Sequence, residues 1–557
     1  MTSFFTELKR RHVFRVAAAY VVTGWIVAQA AEFLLESFAA PQWILQILII
    51  LLVLGFPIAL VLAWAFELTP EGVELDKAAA ADPVPVPVAA APEVLPGSPE
   101  QSIAVLPFVD MSADRDQEYF SDGLAEELLN LLAKVPGLHV ASRTSAFFFK
   151  GKQEDIRAIA EKLRVRHVLE GSVRKAGNQL RVTAQLIKAE DGYHLWSETY
   201  DRPMDNIFAM QDEIALAVVD ALKVKLLGEA PTARETNTEA YNLYLQGVHF
   251  FTQRTAETLD RAVDCLERAV AIDPEYAPAW AYLSSAYAVR GGSSGHGWQE
   301  GVTASREALQ RALALDPDEA HTWISQGQLK SYYDWDWEGA RSDLERARSL
   351  APDNSEVYAA LARLARSHGR LAESVELAER AIALDPLNLT AHSDRSRALM
   401  YLGRYEEAEL GFRELVGLNP NHRNGTSMLS RIEMLRGNVD SALALNEREA
   451  LPFWTDFCRL LICYRHRRTP ACESDLLAFC EENGDEGAFQ IAEIYAYGGD
   501  ADVAFAWLDR AIEQRDPGLT DELLVADTLR GLHADARWEK LVERVGLLDS
   551  WRSMPPG

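Results

Sequence analysis

From the amino terminus, the apolar positions first run together, then thin out, then alternate, and finally recur at helical spacing. Trp43 to Phe66 is a 24-residue stretch with no formal charge. At ~1.5 Å per residue it is about 36 Å long, enough to cross a hydrocarbon core of about 30 Å. Trp43 and Trp64 stand near its ends as interfacial anchors, and Pro57 kinks it. A weaker apolar run, Val16 to Ala31, follows four fixed positive charges, Lys9, Arg10, Arg11 and Arg15. It reads as the first arm of a helical hairpin. Two alternatives stay open: a cleaved signal peptide ending near Ala28-Gln29-Ala30, or a helix lying in the interface. Residues 1–77 are therefore expected to be a membrane anchor with spans at about 14–35 and 43–66. The connector Glu36–Gln42 carries no Lys or Arg, and the twenty residues after Phe66 carry only Lys77. That distribution holds the amino terminus in the cytoplasm, and two crossings return the soluble domains there. A single crossing gives the periplasmic alternative.

Residues 78–101 form an Ala/Pro/Val-rich linker, in which alternating Val-Pro favours extended polyproline conformation. From Ser102 the pattern predicts a compact α/β domain over 102–228. Ile103–Val109 and Leu138–Arg143 read as short strands, Tyr119–Val135 and Asp155–Leu163 as amphipathic helices. Ser121 or Asp122 is placed to cap the first helix. In Arg166–Arg202 the period becomes two, with Leu180, Val182, Ala184 and Leu186 on one face. Turn signals at 176–178 and 190–192 divide it into three antiparallel strands. A helix from Met210 to about Leu226 closes the domain.

The stretches "SIAVLPF" (Ser102–Phe108), "YFSDGLAEELLNLL" (Tyr119–Leu132), "VLEGSVRK" (Val168–Lys175) and "LWSETYDR" (Leu195–Arg202) resemble the amino-terminal α/β domain of TolB and the related domain of bacterial membrane-linked tetratricopeptide (TPR) proteins. In related chains this domain accompanies an adenylate cyclase or a winged-helix DNA-binding domain. Only about fifteen residues precede the first apolar run, so neither is expected here. The resemblance implies a bacterial inner-membrane protein; TolB itself is periplasmic.

Internal repetition dominates the rest. Pro274, Pro317, Pro352, Pro386 and Pro420 end equivalent turns, at intervals of 43, 35, 34 and 34 residues. Twelve residues before each proline stands a small residue: Ala262, Ser305, Ala340, Ser374 and Ala408. Five before stands Ala269, Ala312, Ala347, Ala381 or, as a departure, Leu415. Trp280, Trp323 and Tyr358 mark the large helix contact. The motif resembles TPR units. Degenerate units at 435–447 and 492–518 and a terminal cap at 529–547 extend the array over 236–547, about six to seven repeats, with 548–557 as a tail. The fold class is multidomain: a transmembrane hairpin, a small TolB-like α/β domain and an all-α TPR superhelix with one concave groove.

On the 34-residue template the ninth helix position is Arg363, Arg397 and Arg431, which stack as a basic ladder along the groove. Arg366, Tyr401, Ser393 and Asn424 fall at other groove positions. Guanidinium forks suit carboxylates, so the groove is expected to take an acidic or carboxylate-ended peptide. The competing reading pairs these arginines with the chain's own acids. Trp335 and Trp337 are read as plugs between helices, and Gly291–Trp298 ("GGSSGHGW") as a loop inserted within a repeat.

Composition adds exclusions. A net charge of −28 repels nucleic-acid phosphates. The five cysteines include Cys458, Cys463, Cys472 and Cys480, grouped with His466 but without a CxxC pair, and read as buried helical thiols. No HExxH, GxSxG or Walker A sequence occurs. No catalytic residue, metal site or cofactor is assigned. The sequence points to a non-enzymatic, membrane-anchored interaction scaffold that contacts the bilayer through two helices and a protein partner through its groove. The alternative is a signalling component that senses a ligand through the TolB-like domain and acts on a partner cyclase or transcription regulator.

Overall fold

The computed structural model describes residues 100–554, except 113–116, 223–235, 254, 292–297, 421, 423, 450 and 486, together with the backbone of 66–69 and 72–75. The expected spans (apart from Phe66), the linker before Glu100, the Gly/Ser stretch 292–297 and the last three residues of the tail lie outside the described residues. Among the described residues no helix is long and apolar enough to cross a membrane. Within residues 1–91, strands β1 (Phe66–Thr69) and β2 (Gly72–Leu75) pair antiparallel, Phe66 opposite Leu75 and Thr69 opposite Gly72. Phe66, the last residue of the expected second span, opens β1, a strand that the apolar run does not predict.

The α/β domain holds β3 (Ser102–Val105), β4 (Val109–Asp110), β5 (His139–Val140), β6 (His167–Ala176), β7 (Gln179–Lys188) and β8 (His194–Pro203). The sheet order is β5-β3-β6-β7-β8, with β4 also on β6. β5 and β3 run parallel to β6, and β6–β7–β8 form the antiparallel meander that the alternation predicted. The first strand is shorter than expected. Pro107 has no N–H and fixes φ, so pairing breaks between β3 and β4. The chain nevertheless stays on β6 through Leu106 N to Leu169 O (2.9 Å) and Met111 N to Val173 O (2.8 Å). Phe108 spans the break with its ring over Gly171 of β6. A Cβ at Gly171 would stand 2.4 Å from the Thr183 carbonyl oxygen and 2.6 Å from that ring. Gly171→Ala is therefore expected to destabilise the domain by about 1–3 kcal/mol, through displaced backbone rather than lost contact. Urea unfolding of the full chain measures it.

Helices α1 (Glu118–Ala133) and α4 (Ile207–Ala221) cover one face of the sheet. Leu124, Leu128 and Leu132 meet Leu169, Val182 and Leu186 there. The short α2 (Arg143–Phe147) and α3 (Ile156–Leu163) lie toward the other face, where Phe149, Ile159 and Leu163 pack on Ala104 and Val168. Most of the segment expected as a second strand, from Leu138 to Arg143, gives way after β5 to α2, which Ser142 caps. The expected cap of α1 is corrected. Gln117 holds the N-cap position, and Ser121 and Asp122 are buried inside the helix.

The array continues as helical hairpins: α5 (Thr238–Gln253) with α6 (Ala256–Ile272), α7 (Ala277–Gly291) with α8 (Trp298–Leu315), α9 (Ala320–Leu329) with α10 (Trp337–Leu350), and α11 (Ser355–Ser367) with α12 (Leu371–Leu384). Next come α13 (Leu389–Tyr401) with α14 (Tyr405–Leu418), α15 (Gly425–Leu435) with α16 (Val439–Asn446), α17 (Pro452–His466) with α18 (Pro470–Asn483), and α19 (Ala488–Gly498) with α20 (Ala501–Gln514). The short α21 (Pro517–Glu522), α22 (Ala536–Arg544) and α23 (Leu548–Ser553) close the chain. The α17–α18 pair lacks the proline and small-residue signals and escaped the sequence reading.

Every small residue of the repeat motif is buried: Ala262, Ala340, Ser374 and Ala408 at 0% and Ser305 at 1% exposure, where two helices meet. The large residues do more than fill space. Trp280 donates to the Pro274 carbonyl (2.9 Å), Trp323 to Pro317 (2.8 Å) and Tyr358 to Pro352 (3.0 Å), while His392 Nε2 lies 2.8 Å from the Pro386 oxygen. Each tie pins a turn to the helix that follows it. The departures from a 34-residue interval are also accounted for. The 43-residue interval holds the stretch between α7 and α8. The 35-residue interval holds a π-helical turn, Lys330–Asp334, which absorbs one extra residue before Trp335 turns left-handed (φ 57°).

Candidate functional site

The inner face of the array is lined, in each repeat, by the same few positions of its first helix. Along the described array the chain's own elements fill much of it.

In α5 these positions are Tyr241, Tyr244, Val248 and Phe251, all buried in one core with α1 and α4. The Gln211 amide of α4 donates to the Tyr241 hydroxyl (2.7 Å), and Phe208 meets the Tyr241 ring edge-on at 5.0 Å. The motif "SDGLAEE" of α1 supplies the matching surface. Gly123 lets Leu245 approach so closely that a Cβ would stand 2.3 Å from it. Asp122 binds Lys150, and Glu126 accepts from Arg143 Nε (2.6 Å) and from the Tyr282 hydroxyl. Glu127 accepts from the Tyr244 hydroxyl (3.2 Å); burial, with Glu126 beside it, pushes its carboxyl up to about 7. Farther along, the hydroxyls of Ser142 and Ser145 both donate to Asp385, at the turn between α12 and α13. Leu387 and Leu418 join the core under α3. The α/β domain thus docks on the array at two places.

The arginine ladder meets a second internal occupant, α21. Asp516 caps it, accepting from Gly518 N (2.8 Å) and from Phe489 N (3.0 Å); burial holds this carboxyl up at about 6. Arg363 donates to the Tyr332 hydroxyl (2.9 Å) and to Asp394 (3.4 Å). Arg366, 1% exposed, donates to Asp394 (3.0 Å) and to the Asp521 carbonyl (2.7 Å). Arg397 and Arg431 share the two oxygens of Glu522, and Arg431 also reaches Glu493 (2.9 Å), which accepts from Thr528 (2.7 Å). Tyr401 is buried among them. Burial alone would raise Glu522, but Arg397, Arg431 and Arg366 together outweigh it and hold this carboxyl well below its ordinary range. For Glu493 burial wins, and its carboxyl lies above that range.

The structure therefore brings Arg363, Arg366, Arg397, Tyr401 and Arg431 together, with the chain's own carboxylates as their partners. Asn424 is not among them. It stands at the start of α15 with a left-handed φ of 56°, about two turns before Arg431. Displacing α21 together with the segment that follows it would expose Leu519, Leu523, Leu524, Leu529 and Leu532, all at most 2% exposed. At roughly 1.5–3 kcal/mol per side chain that costs on the order of 10 kcal/mol. Sequence reading missed Asp394, Glu493, Asp521 and Glu522. The one available signal was Asp516-Pro517, a helix-start pair followed one turn on by Asp521, Glu522 and two leucines.

The carboxy-terminal segment also seals the array from outside. Trp337 donates to the Val545 carbonyl (2.9 Å), and Arg515 lies over the Trp335 ring at 3.8 Å. The two tryptophans read as plugs within a repeat join it to the cap instead. The cysteine cluster is divided: Cys463 of α17 and Cys472 of α18 lie side by side with Cα atoms 6.3 Å apart, while Cys458 is a buried free thiol and Cys480 is half-buried. Pro470 starts α18 so soon after α17 that the two positions are brought side by side.

Among the described residues the first-turn row of the inner face stays open: His321 and Glu356, each 46% exposed and 3.3 Å apart, and exposed Thr390. Arg143 of the α/β domain is close enough to act electrostatically on Glu356.

Comparison with known proteins matches this anatomy in parts. Residues 99–216 match the family described as the HilA/YgeH-like transcriptional regulator, second domain. Residues 334–388 and 393–453 match the tetratricopeptide repeat. Among curated proteins, a putative adenylate cyclase 3 of Rhizobium meliloti (strain 1021) is 46% identical over 197 residues, 35% of this chain and 33% of the relative. The chain thus spans about a third of the length of that relative. Among solved structures, human IFIT1 with m7Gppp-AAAA is 14% identical, with a TM-score of 0.38 over 55% of this chain and 80% of that one. Pseudomonas aeruginosa PilF is 18% identical, with a TM-score of 0.30 over 38% and 90%. At these scores neither bears on function. The class defined is a TPR-repeat protein with a small sheet domain at its amino-terminal side.

Proposed function

We propose that this chain is a non-enzymatic, membrane-anchored scaffold that holds its TolB-like domain and TPR array as one body and engages a protein partner along the open inner row His321–Glu356–Thr390. The observation behind this reading is the mutual docking of domain and array, which leaves that row as the accessible part of the groove. The partner presents an acidic or carboxylate-ended segment toward Arg143 and His321 rather than toward the filled ladder. The two apolar stretches at 14–35 and 43–66 supply the anchor, and the basic residues before the first hold the soluble domains in the cytoplasm. A photo-crosslinker at Glu356, in full chain in native membranes, is expected to give a discrete protein adduct that the same probe at outer-face Glu338 does not. Adducts independent of position overturn the reading. Alkaline phosphatase activity from a fusion after Gly557, or an oxidised Cys463–Cys472 pair in protein from intact cells, assigns the periplasmic alternative.

A second reading rests on the matches to a transcriptional-regulator domain and to a putative cyclase. In it the α/β domain is the input of a regulatory chain, and the array relays its state to a partner regulator.

A further inference from the structure

β8 is the long edge of the α/β sheet. Among the described residues it pairs only with β7. Among the described residues no strand covers this edge, and an open edge is a template for another strand unless charged side chains, Pro or bulges blunt it. Here the one proline, Pro203, stands at the very end, and the single register irregularity lies at the other end, beyond Trp196. The direction of the backbone groups can be fixed. Pro203 faces Gln179, and just past this pair Met204 N donates to the Asn178 oxygen (2.9 Å). Bonded pairs alternate in an antiparallel ladder, so Arg202, Tyr200 and Glu198 point their N–H and C=O groups at β7. Ser197, Thr199 and Asp201 point theirs outward. The Asp201 carbonyl is met by its neighbour Arg202 (3.1 Å).

We infer that this edge pairs with β8 of a second copy of the chain, antiparallel about a twofold axis through Tyr200. The charges select both partner and register. With Tyr200 opposite Tyr200, Thr199 faces Asp201 of the other copy as a bonded pair, and Ser197 faces Pro203, whose missing N–H ends the ladder. Glu198 then stands directly opposite Arg202, at the closely spaced non-bonded positions, twice by symmetry. A register with Glu198 opposite Glu198 places like charges together and is disfavoured. Roughly six backbone hydrogen bonds form in this arrangement. An isologous contact of this kind closes on itself and builds no filament. The surroundings favour burial. Arg202 bonds Glu213 of α4 (3.3 Å), and on the same helix, one turn on, Leu216 is 42% exposed. Leu195, 46% exposed, extends the apolar rim along β8.

The test is the mass of the full chain in detergent at about 20 µM, by size exclusion with light scattering. The wild type is expected to be a dimer. Glu198→Arg and Arg202→Glu each set like charges opposite one another and should weaken the dimer at least tenfold. The double variant Glu198→Arg/Arg202→Glu restores opposite charges and should recover it. Thr199→Pro removes an outward N–H and leaves the backbone bonds to β7 in place, losing only the hydroxyl contact to Thr183 (3.1 Å), and should give a monomer with unchanged circular dichroism. A monomeric wild type overturns the inference. So does a dimer that survives Thr199→Pro or both single reversals, or a folded double variant that stays monomeric.

Discussion

Glu522→Ala should cost the array about 3–5 kcal/mol, the largest effect expected of any single side chain described. The glutamate lies at the meeting point of Arg397 and Arg431. Removing it leaves Arg431 with Glu493 and takes from Arg397 the buried carboxylate that the two arginines share. Breaking a buried pair by deleting one partner strands a charge, and that penalty exceeds the worth of the pair itself. Urea unfolding of wild type and variant measures the loss. Adding Arg397→Met to Glu522→Ala should recover part of it, since the charge that lost its carboxylate goes too. The pH dependence has two opposite parts. Glu522 is held down by its three arginines, so its stabilisation is complete above the ordinary carboxylate range and is lost as pH falls through and below it. Glu493 is held up by burial, so the unfolded chain gives up this proton first and stability falls as pH rises from that range toward neutrality. Glu493→Gln should remove the second slope and leave the first.

Asp385→Ala is the second large effect, expected at about 2–4 kcal/mol. This carboxylate, 3% exposed, accepts from Ser142, Ser145 and the Leu387 backbone N–H (3.1 Å). Hydrogen bonds to a charged acceptor contribute about 1.5–3 kcal/mol, and buried donors left without partners add a cost of their own. The loss falls on the contact between the α/β domain and the array. Hydrogen exchange should rise in α2 and at the α12–α13 turn, while protection of the arginine ladder stays as it was. Equal loss of protection in both places would show that the domain and the array do not dock through this contact.

Local chemistry was the legible part of this chain. The small residues twelve before each proline, the alternation in β7 and the amphipathic spacing of α3 each act through neighbours within a few residues or one repeat, so the sequence displays them directly. The TPR period also placed Arg363, Arg397 and Arg431 on one face. What faces them was hidden, because Glu522 lies 125 residues beyond Arg397 and carries no periodic mark. The docking of α1 on α5 was hidden for the same reason. Gly123 has no reason of its own to be glycine until Leu245, more than a hundred residues later, is brought against it. The misplaced cap on α1 is a different failure. Ser121 and Asp122 have the right chemistry for an N-cap, but the helix starts one turn earlier and Lys150 takes the aspartate.

The closing of the ladder by α21 fixes an order of events during synthesis. The ties between each turn and its following helix span six residues, so repeats can form as soon as they leave the ribosome. Glu522 follows Arg397 by 125 residues. At about 5–20 residues per second, roughly 6–25 s pass between the two. Throughout that interval the nascent array presents an open, positively charged cleft in an otherwise acidic chain, and the arrival of α21 shuts it.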